Sequence, residues 1–377
     1  MKDAFRTGLQ VEERNRFSRI DFNFVFVILA LNLIGLINLY SATHGLFHRD
    51  KVELFWMQIA WLGVGWSVFF FLTFIDYKIF ARLSYIFYGL NLVALIAVEM
   101  VGKVSLGAQR WLDLGFFRYQ PSETMKLAVV LLLANILSKK SVKNGMGLTQ
   151  LAWPVTLALI PFILTVKQPD LGTAMLLAAI AATMLLFVGV KRGILVFAIM
   201  TGVIAAPIVW NFGLKEYQKN RVLTFISPGR DPRGTGYNSI QSKIAVGSGR
   251  VLGKGFRKGT QSQLEFLPER HTDFIFSVLS EEHGFIGSVT TLGLFIIMYL
   301  MSIRIAAAAP DKIGSLIVIG VWAYMFWHVF VNMGMVIGLL PIVGAPMPLI
   351  SYGGSSMLST MTGLGLISSV AYRRYLF

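Results

Sequence analysis

The sequence predicts an all-α polytopic membrane protein with about ten transmembrane helices, both termini cytoplasmic and one long extracytoplasmic loop. Hydrophobic residues make up 55% of its 377 residues and charged residues only 14%, whereas about a quarter of the residues of a soluble domain are charged. Apolar runs of roughly 18–25 residues recur along the chain, and each is long enough to cross a bilayer. Lysines and arginines concentrate between alternate runs, which indicates repeated crossing of the membrane.

We predict a single integral membrane domain over residues 1–377. The polar segment 1–21 precedes the first apolar run and has no Ala-x-Ala cleavage site, so we expect a cytoplasmic tail followed by a retained helix. The run over 79–99 contains Tyr, Asn and Arg residues and departs most from an apolar span. The absence of cysteine excludes disulfides, thiol catalysis and zinc–thiolate sites. The predicted spans are 22–43, 54–75, 79–99, 122–138, 148–166, 171–189, 194–211, 273–303, 313–337 and 351–371.

The distribution of positive charge predicts the orientation. With the N-terminus inside, the cytoplasmic side receives most lysines and arginines of the short loops, including Lys78, Arg82, Lys139, Lys140, Lys143, Lys191, Arg192, Arg304, Lys312, Arg373 and Arg374. The short loops on the other side carry fewer, namely Arg49, Lys51, Lys103, Arg110, Arg118 and Lys167. An even number of spans then places both termini in the cytoplasm.

Residues 212–272, between the seventh and eighth predicted spans, form the long extracytoplasmic loop. It holds eleven Lys or Arg residues against four acidic residues, and long loops are largely exempt from the orientation rule. A basic, glycine-rich loop that faces outward suits an anionic ligand such as a phosphate-bearing lipid headgroup. The alternative is a loop that serves only to keep this surface solvated.

Two charged residues begin the fourth predicted span, in Gln120-Pro-Ser-Glu-Thr-Met-Lys126. Ionisable groups within a span cost a few kcal/mol each, so they need partners or a function. Glu123 and Lys126 are three residues apart and share a helix face, so they can pair. They are either a structural ion pair near the outer interface or a charged wall of a water-accessible cavity.

The eighth predicted span carries a stripe of small and polar residues. At 100° per residue, its members Asp273, Ser277, Ser280, Gly284 and Gly287 fall on one face, and Glu281 flanks that face. Such a stripe faces protein or water and not lipid. Asp273 could simply cap the helix, but capping does not require a stripe four turns long.

Two further segments near the predicted outer face are unusual. Residues 338–356 are too rich in proline and glycine for a straight helix and too apolar for a solvated loop, which predicts a re-entrant or cavity-lining segment. The turn Lys167-Gln-Pro-Asp170 places Asp170 where it can cap the sixth span. For Asp170 the structural role is favoured over a functional one.

Taken together, these motifs resemble the SEDS family of cell-wall proteins (shape, elongation, division and sporulation). Arg250 departs from the pattern, since many relatives have glycine there. Short tails and the total length favour the elongation member of the family over the division and sporulation members. The resemblance covers nearly the whole chain and rests on five stretches: Trp111 with Gln120-Pro-Ser-Glu123 and Lys126; Lys167 to Thr173; Gln241 to Gly249; Gly259 to Gln263 with Phe266 to Phe274; and Gly338 to Pro341 with Ser351 to Ser356.

The resemblance implies a peptidoglycan glycosyltransferase in the bacterial cytoplasmic (inner) membrane. Such proteins polymerise lipid II, a disaccharide-pentapeptide on undecaprenyl diphosphate, into a growing glycan strand at the outer face. They work with a class B penicillin-binding protein, and we also expect contacts with other elongation-complex membrane proteins and with membrane lipids, but not with nucleic acid. Residue by residue, the resemblance assigns the catalytic position to Asp273 and a second functional pair to Glu123 and Lys126.

The expected chemistry uses Asp273 as the general base that deprotonates a sugar hydroxyl. Burial beside Glu281 is expected to raise its pKa. Alternatively, Asp273 holds a divalent cation, Mg²⁺ or Mn²⁺, against the diphosphate. We expect Arg221, Lys254, Arg257 and Lys258 to neutralise phosphate charge. The other candidate substrate-binding residues are Arg110, Trp111, Gln120, Ser122, Gln261, Gln263, Glu269, His271, Thr272, Glu281, Ser351 and Tyr352.

Two other functions are compatible with parts of this pattern. A lipid II flippase would also need intramembrane charges and a polar cavity, but its functional residues should lie on both faces and not cluster on the outer side. A scaffold for the penicillin-binding protein would not explain the costly buried charges.

Overall fold

A computed structural model describes residues 19–44, 52–105, 108–113, 115, 118–140, 145–231, 234–264 and 266–374. Most of the predicted cytoplasmic tail, residues 1–18, lies outside this part of the chain. The prediction of an all-α polytopic membrane protein is confirmed, because long helices dominate the described residues. The helices are α1 (Phe22–Thr43), α2 (Val52–Phe74), α3 (Tyr77–Arg82), α4 (Ser84–Val101), α5 (Pro121–Ser138), α6 (Leu148–Lys167), α7 (Leu171–Val188), α8 (Arg192–Ile208), α9 (Glu216–Ile226), α10 (Thr235–Ser248), α11 (Thr260–Gln263), α12 (Ile275–Ala307), α13 (Lys312–Ile337) and α14 (Gly354–Arg373).

Nine helices of the described chain are long and apolar enough to cross a membrane, counting α8 together with the π-helical turn Val209–Gly213 that extends it. The tenth predicted span corresponds to α14. This helix is long enough to cross a membrane, but its mean hydropathy is lower than that of the other nine. It is rich in Ser, Thr and Gly, and most of its residues are buried against neighbouring helices. A helix so enclosed needs little apolar surface because it hardly meets lipid.

Three short strands and three polar helices were not predicted. Between α4 and α5, β1 (Lys103–Ser105) pairs antiparallel with β2 (Ala108–Asp113), which pairs antiparallel with β3 (Arg118–Tyr119). The predicted loop 212–272 contains α9, α10 and α11, and a 3₁₀ turn at Pro228–Arg230. It is therefore folded over much of its length and not simply an extended loop.

The long helices run between two ends of the bundle, and their connections lie at one end or the other. The end that carries both described chain termini is tied together by the ion pair between Arg374 and Asp21, whose Nη2 and Oδ2 atoms are 3.2 Å apart. The opposite end carries the 212–272 segment, where Arg257 Nη2 donates to the carbonyl of His44 at 2.9 Å. We call these the terminal end and the distal end. The described chain ends therefore lie on one side, as the orientation rule predicts for an even number of spans.

Helices α5 and α13 form the centre of the bundle. Nearly every residue of α5 is buried, and about two thirds of the most apolar stretch of α13 is buried. Pro121 occupies the first turn of α5, where its missing N–H costs nothing, and Gly338 ends α13 in the left-handed conformation with a φ of 79°. The two central helices carry the charged network described below.

Candidate active site

Asp273 lies in a compact turn at the distal end, immediately before α12. The turn is closed by the backbone N–H groups of Thr272 and Phe274, which both donate to the carbonyl of Glu269. Glu269 adopts a left-handed φ of 53° to make this turn. Phe274 occupies the position before the first turn of α12, and no side chain caps the helix. The alternative in which Asp273 merely caps α12 is therefore wrong.

The segment 338–353 packs along this turn and positions it. Asn332 Nδ2 of α13 donates to the carbonyls of Asp273 at 2.8 Å and of Ala345 at 2.7 Å. Ser351 Oγ donates to the carbonyl of Thr272 at 2.7 Å. Gly344 adjoins the Asp273 carboxyl so closely that an added Cβ would lie 3.0 Å from Oδ2. The predicted cavity-lining role of 338–353 therefore agrees with its position.

His271 and Tyr352 connect the same two segments. The backbone N–H of Tyr352 donates to the carbonyl of His271 at 3.0 Å, and their rings are 6.1 Å apart. His271 Nε2 lies 3.9 Å from Glu269 Oε2. Burial raises the pKa of the Tyr352 hydroxyl, so this group stays protonated and can donate a hydrogen bond.

Charges of both signs surround the Asp273 carboxyl. Burial and the neighbouring carboxylate of Glu269 raise the pKa of Asp273 to about 7, and Asp170 adds to this effect. Two guanidinium groups, from Arg110 and Arg221, act in the opposite direction. The pKa is therefore poised where a carboxyl can exchange a proton at neutral pH.

Burial raises the pKa of Asp273 as expected, but Glu281 is not among the neighbours that shift it. Glu281 is fully buried in a separate cluster, where Lys254 Nζ donates to its Oε1 at 2.7 Å. The same carboxylate accepts from the backbone N–H groups of Gln261 and Ser262, so it caps α11. Its negative charge is thus neutralised locally, away from Asp273.

Arg110 links strand β2 to the turn before α7. Its Nη2 donates to the carbonyl of Pro169, and its Nε lies 3.7 Å from Asp170 Oδ2. Asp170 also accepts from the backbone N–H and hydroxyl of Thr173, so the prediction that it caps this span is confirmed. Arg110 thereby places positive charge beside Asp273 from an element that the sequence analysis missed.

The second guanidinium group that acts on Asp273 belongs to Arg221 of α9. With Thr224 and Ser239, it lines a small cavity against Leu340 and Ile342 of the 338–353 segment. This contact brings the basic 212–272 segment close enough to the Asp273 turn for Arg221 to lower the pKa of Asp273.

The other three named cations have different positions. Lys254 pairs with Glu281, as described above, and Arg257 donates to the His44 carbonyl and lies over the ring of Tyr40. Lys258 belongs to the turn that its N–H closes on the carbonyl of Gly255. Gln263 Nε2 donates to the carbonyl of Ser41 in α1. The Lys254–Glu281 pair, the backbone N–H of Gln261 and the Gln263 side chain therefore connect α11 to α12 and α1.

Glu123 and Lys126 form the predicted ion pair inside the bundle. Lys126 Nζ lies 2.7 Å from Glu123 Oε1, and the exposed fractions of the two side chains are 0% and 4%. The ammonium also lies 2.6 Å from His328 Nε2 and 5.2 Å from the centre of the Tyr324 ring. Lys126 is therefore enclosed by protein and faces no open cavity in this structure.

His328 connects the buried pair to the Asp273 region. If Nε2 accepts from Lys126, Nδ1 carries the proton and donates to the carbonyl of Pro346 at 3.2 Å. Pro346 follows Ala345, which Asn332 bridges to Asp273. His328 and Asn332 were both missed, although a histidine and an asparagine inside a predicted span are a detectable signal of function.

The polar stripe of α12 is shorter than predicted. Gly284 has a φ of 65° and a ψ of −158°, which breaks the helix, so the 100° spacing does not extend to Gly287. Ser277 is buried, and the hydroxyls of Ser280 and Ser288 are 3.0 Å apart. Ser280, Gly284 and Ser288 line a cavity of about 240 Å³ together with Met333 and Ile337 of α13.

The remaining candidates lie around these groups. Ser122 is buried next to Glu123, and the backbone N–H of Gln120 donates to Ser355 Oγ of α14 at 3.2 Å. Trp111 is half-buried on β2 beside Arg110. Among the described residues, no group of three or more His, Asp or Glu side chains is placed to hold a metal ion.

Comparison with known proteins extends over nearly the whole chain. Residues 22–376 match the model of the FtsW/RodA/SpoVE cell cycle protein family. The peptidoglycan glycosyltransferase MrdB of Escherichia coli (strain K12) is 38% identical over 355 residues, which cover 94% of each chain. The stage V sporulation protein E of Bacillus subtilis (strain 168) is 34% identical over 369 residues, which cover 94% of this chain and 98% of that protein.

Solved structures have the same fold. A chain from a structure described as the structural coordination of polymerization and crosslinking by a peptidoglycan synthase complex aligns with a TM-score of 0.81 at 32% identity, covering 95% of this chain and 99% of that one. The rod shape determining protein RodA of Thermus thermophilus aligns with a TM-score of 0.70 at 30% identity, covering 94% and 98%. The chain therefore belongs to the FtsW/RodA/SpoVE family of cell cycle proteins, which is the SEDS family whose motifs its sequence carries.

Proposed function

We propose that this chain is a peptidoglycan glycosyltransferase of cell elongation, which polymerises lipid II at the outer face of the cytoplasmic membrane. The family and the named activities of its relatives support the reaction class. The observation that carries the chemistry is the Asp273 carboxyl, which has a pKa of about 7 and two guanidinium groups among its electrostatic neighbours. The Asp273 carboxylate can take a proton, and the two guanidinium groups can balance the charge of a leaving diphosphate.

The reaction proceeds by direct displacement. The acceptor sugar hydroxyl gives its proton to the Asp273 carboxylate, and its oxygen forms the new bond to C1 of the donor sugar. The bond between C1 and the diphosphate oxygen breaks, and its electron pair leaves with undecaprenyl diphosphate. Arg110 and Arg221, the two cations that act on Asp273, would stabilise the departing phosphate oxygens.

A divalent cation is the alternative role for Asp273. Within the described chain, no cluster of three acidic or histidine side chains accompanies it. A bound Mg²⁺ or Mn²⁺ would therefore take its other ligands from the substrate diphosphate and from water, as Mg²⁺ commonly does. Such an ion would neutralise the leaving group, and Asp273 would then anchor the ion.

For Glu123, Lys126 and His328 the geometry supports a positioning role. Lys126 is fully buried and reaches no phosphate from inside the bundle. It holds His328, which holds the backbone of the 338–353 segment at Pro346. We infer that this network fixes the segment that lies against Asp273, so its loss would misplace the site instead of removing a substrate contact.

A class B penicillin-binding protein is the proposed partner that cross-links the product. The likeness to a chain from a peptidoglycan synthase complex supports such a partner. The bacterial inner membrane is the matching location, because the substrate diphosphate is anchored there by its polyprenyl chain.

The decisive experiment is polymerisation by the purified full chain mixed with lipid II in detergent, alone and with its penicillin-binding protein carrying an inactivated transpeptidase. We expect glycan strands resolved by gel electrophoresis. Lipid II translocation into vesicles without any strand synthesis would instead indicate a flippase. Neither reaction, with an intact complex, would indicate a scaffold and contradict the proposal.

A further inference from the structure

Three interhelical connections meet at the terminal end, away from the proposed active site. A parallel bridge joins Met146 to Val190, with the N–H of Met146 donating to the carbonyl of Gly189 at 2.9 Å. Beside this bridge, the last turns of α5 and α7 and the first turn of α13 enclose a cavity of about 150 Å³. Both apolar and basic residues line this cavity.

The residues that line the cavity are partly apolar and partly basic. Leu137, Phe187 and Leu316 supply apolar surface. Lys140, Lys312 and the hydroxyl of Ser315 lie on the same cavity. Phe187, one of the lining residues, is 54% exposed on the surface of α7.

The acidic residues that the structure describes at this end are already paired elsewhere. Asp311 accepts from the Tyr77 hydroxyl and lies 3.0 Å from Lys78 Nζ. Its other carboxylate oxygen accepts from the N–H of Gly314, so it also caps α13.

The two other acidic residues described at this end, Asp76 and Asp21, lie close to the C-terminal arginines. Asp76 lies 4.0 Å from Arg373 Nε, and Asp21 pairs with Arg374 as described above. Across the described part of the chain, no ion pair includes Lys140 or Lys312.

We propose that this cavity binds an anionic phospholipid, with its phosphate between Lys140 and Lys312 and one acyl chain along Phe187 and Leu316. Basic pockets between transmembrane helices recognise anionic headgroups by this combination of cations and apolar surface. The Ser315 hydroxyl is a neutral donor for a phosphate oxygen. The positive-inside distribution assigns this end, and therefore this lipid, to the inner leaflet.

Lys140 has no acidic partner among the described residues to offset its partial burial. Burial lowers the pKa of its ammonium group, which is the expected effect of desolvation without an acidic partner. Its Nζ donates to the carbonyl of Gln150 in α6, which holds the side chain across the interhelical gap. A phosphate would restore the neutralising charge. This site is independent of the glycosyltransferase proposal, since it lies at the opposite end from Asp273.

The test uses the purified full chain in a neutral detergent. Native mass spectrometry and thermal unfolding are measured with phosphatidylglycerol, with phosphatidylethanolamine of the same acyl chains, and with inorganic phosphate at the same concentration. We expect preferential retention of one phosphatidylglycerol molecule. Lys140→Gln combined with Lys312→Gln should weaken this retention about tenfold or more, because each basic residue contributes roughly 1 kcal/mol near an anionic headgroup.

The matched control is Lys139→Gln with Lys191→Gln, which removes two charges from the same end but outside the cavity. This variant should retain phosphatidylglycerol like the wild type. Equal losses in both double variants would overturn the proposal in favour of a diffuse surface charge. Stabilisation by inorganic phosphate alone would overturn the lipid assignment. Lys140→Arg with Lys312→Arg keeps the charge and should preserve binding, so a failure of the Gln variant to fold would be recognised.

Discussion

The carboxyl group of Asp273 is balanced between opposing influences that come from four different parts of the chain. Its own turn contributes Glu269, β2 contributes Arg110, the turn before α7 contributes Asp170, and α9 contributes Arg221. None of these neighbours is close to Asp273 in sequence except Glu269. The proton affinity of the proposed base is therefore a property of the assembled site and not of its local motif.

The pH dependence of polymerisation should follow this carboxyl. The base works when deprotonated, and with a pKa of about 7 the deprotonated fraction rises about tenfold between pH 6 and pH 8. Initial rates of strand synthesis measured across this range should rise accordingly and then level off. A flat profile between pH 6 and pH 8 would contradict a base with this pKa.

Asp273→Asn should lower polymerisation by roughly 100-fold or more, because it removes basicity while keeping the shape of the side chain. Strand synthesis by the purified variant measures the loss, and near-wild-type synthesis would remove the proposed mechanism. Membrane insertion and binding to the penicillin-binding protein should be retained, which co-purification checks.

Stability supplies an independent readout for the same variant. The folded-state pKa of Asp273 lies above its unfolded value, so folding favours the protonated form. The contribution of this group to stability is complete below about pH 4 and is lost as the pH rises toward about 7. Asp273→Asn should therefore unfold at a temperature no lower than that of the wild type at pH 8. A marked loss of thermal stability would mean that the side chain has a structural role.

The Glu123–Lys126 pair should show strong energetic coupling. Lys126→Met leaves a buried carboxylate unpaired and should cost about 3–5 kcal/mol of stability, as for other broken buried pairs. Adding Glu123→Gln removes that charge and should recover much of the loss, measured by thermal unfolding in detergent. If the double variant is as unstable as Lys126→Met, the coupling is not between these two groups. Low polymerisation in the recovered double variant would support the positioning role.

Sequence patterns located some of these residues better than others. Asp273, Glu123 and Lys126 were found because charge inside an apolar span is rare and costly. Lys254 and Glu281 were expected at the site, yet they neutralise each other elsewhere. Nothing in the spacing of a loop reveals which of its cations has an internal partner, since that depends on tertiary contacts. His328 could have been found as a histidine inside a predicted span, but hydrophobic periodicity does not single it out.

At the scale of elements, the break in α12 explains how the 212–272 segment is held on the bundle. Gly284 adopts a left-handed φ where an added Cβ would lie 2.3 Å from the backbone nitrogen of Gly253. The freed N–H groups of Phe285 and Ile286 donate to the carbonyls of Arg250 and Val251. The kink thus exchanges helical hydrogen bonds for bonds to the connection after α10.

Gly284→Ala should destabilise the protein by about 2 kcal/mol or more, because a β-carbon is strained at this φ and collides with backbone. Gly293→Ala is the matched control in the same helix, since open space surrounds its added Cβ. That variant should be neutral or gain up to about 1 kcal/mol from helix propensity. Thermal unfolding of both variants decides the matter, and equal melting temperatures would show that the kink is not required.

Across the whole molecule, hydrophobic length and charge predicted the helices well and their connections poorly. Nine of the ten predicted spans each coincide with one described helix within a few residues, whereas the third, 79–99, is divided at Leu83 between α3 and α4. The strands β1 to β3 were missed because their pairing in short, polar segments leaves no apolar periodicity. The helices of 212–272 were missed for a similar reason, since tertiary contacts stabilise them more than their own composition does.

Cysteine labelling can test the orientation without background, since the chain contains no cysteine. Leu252 is 77% exposed at the distal end, so Leu252→Cys should react with an impermeant maleimide on intact spheroplasts. Ala308→Cys, exposed between α12 and α13 at the terminal end, should react only after lysis. The reverse pattern would invert the topology and place the proposed active site on the wrong side.

The pairing within α5 has a consequence for how the chain is made. His328 lies 202 residues after Lys126, and at about 5–20 residues per second it leaves the ribosome roughly 10–40 s later. During that interval α5 must enter the membrane without α13. Because Glu123 and Lys126 lie one turn apart and can neutralise each other, the helix can be inserted as an electrically neutral segment. We therefore expect the ion pair to assist insertion of α5 before His328 has been synthesised.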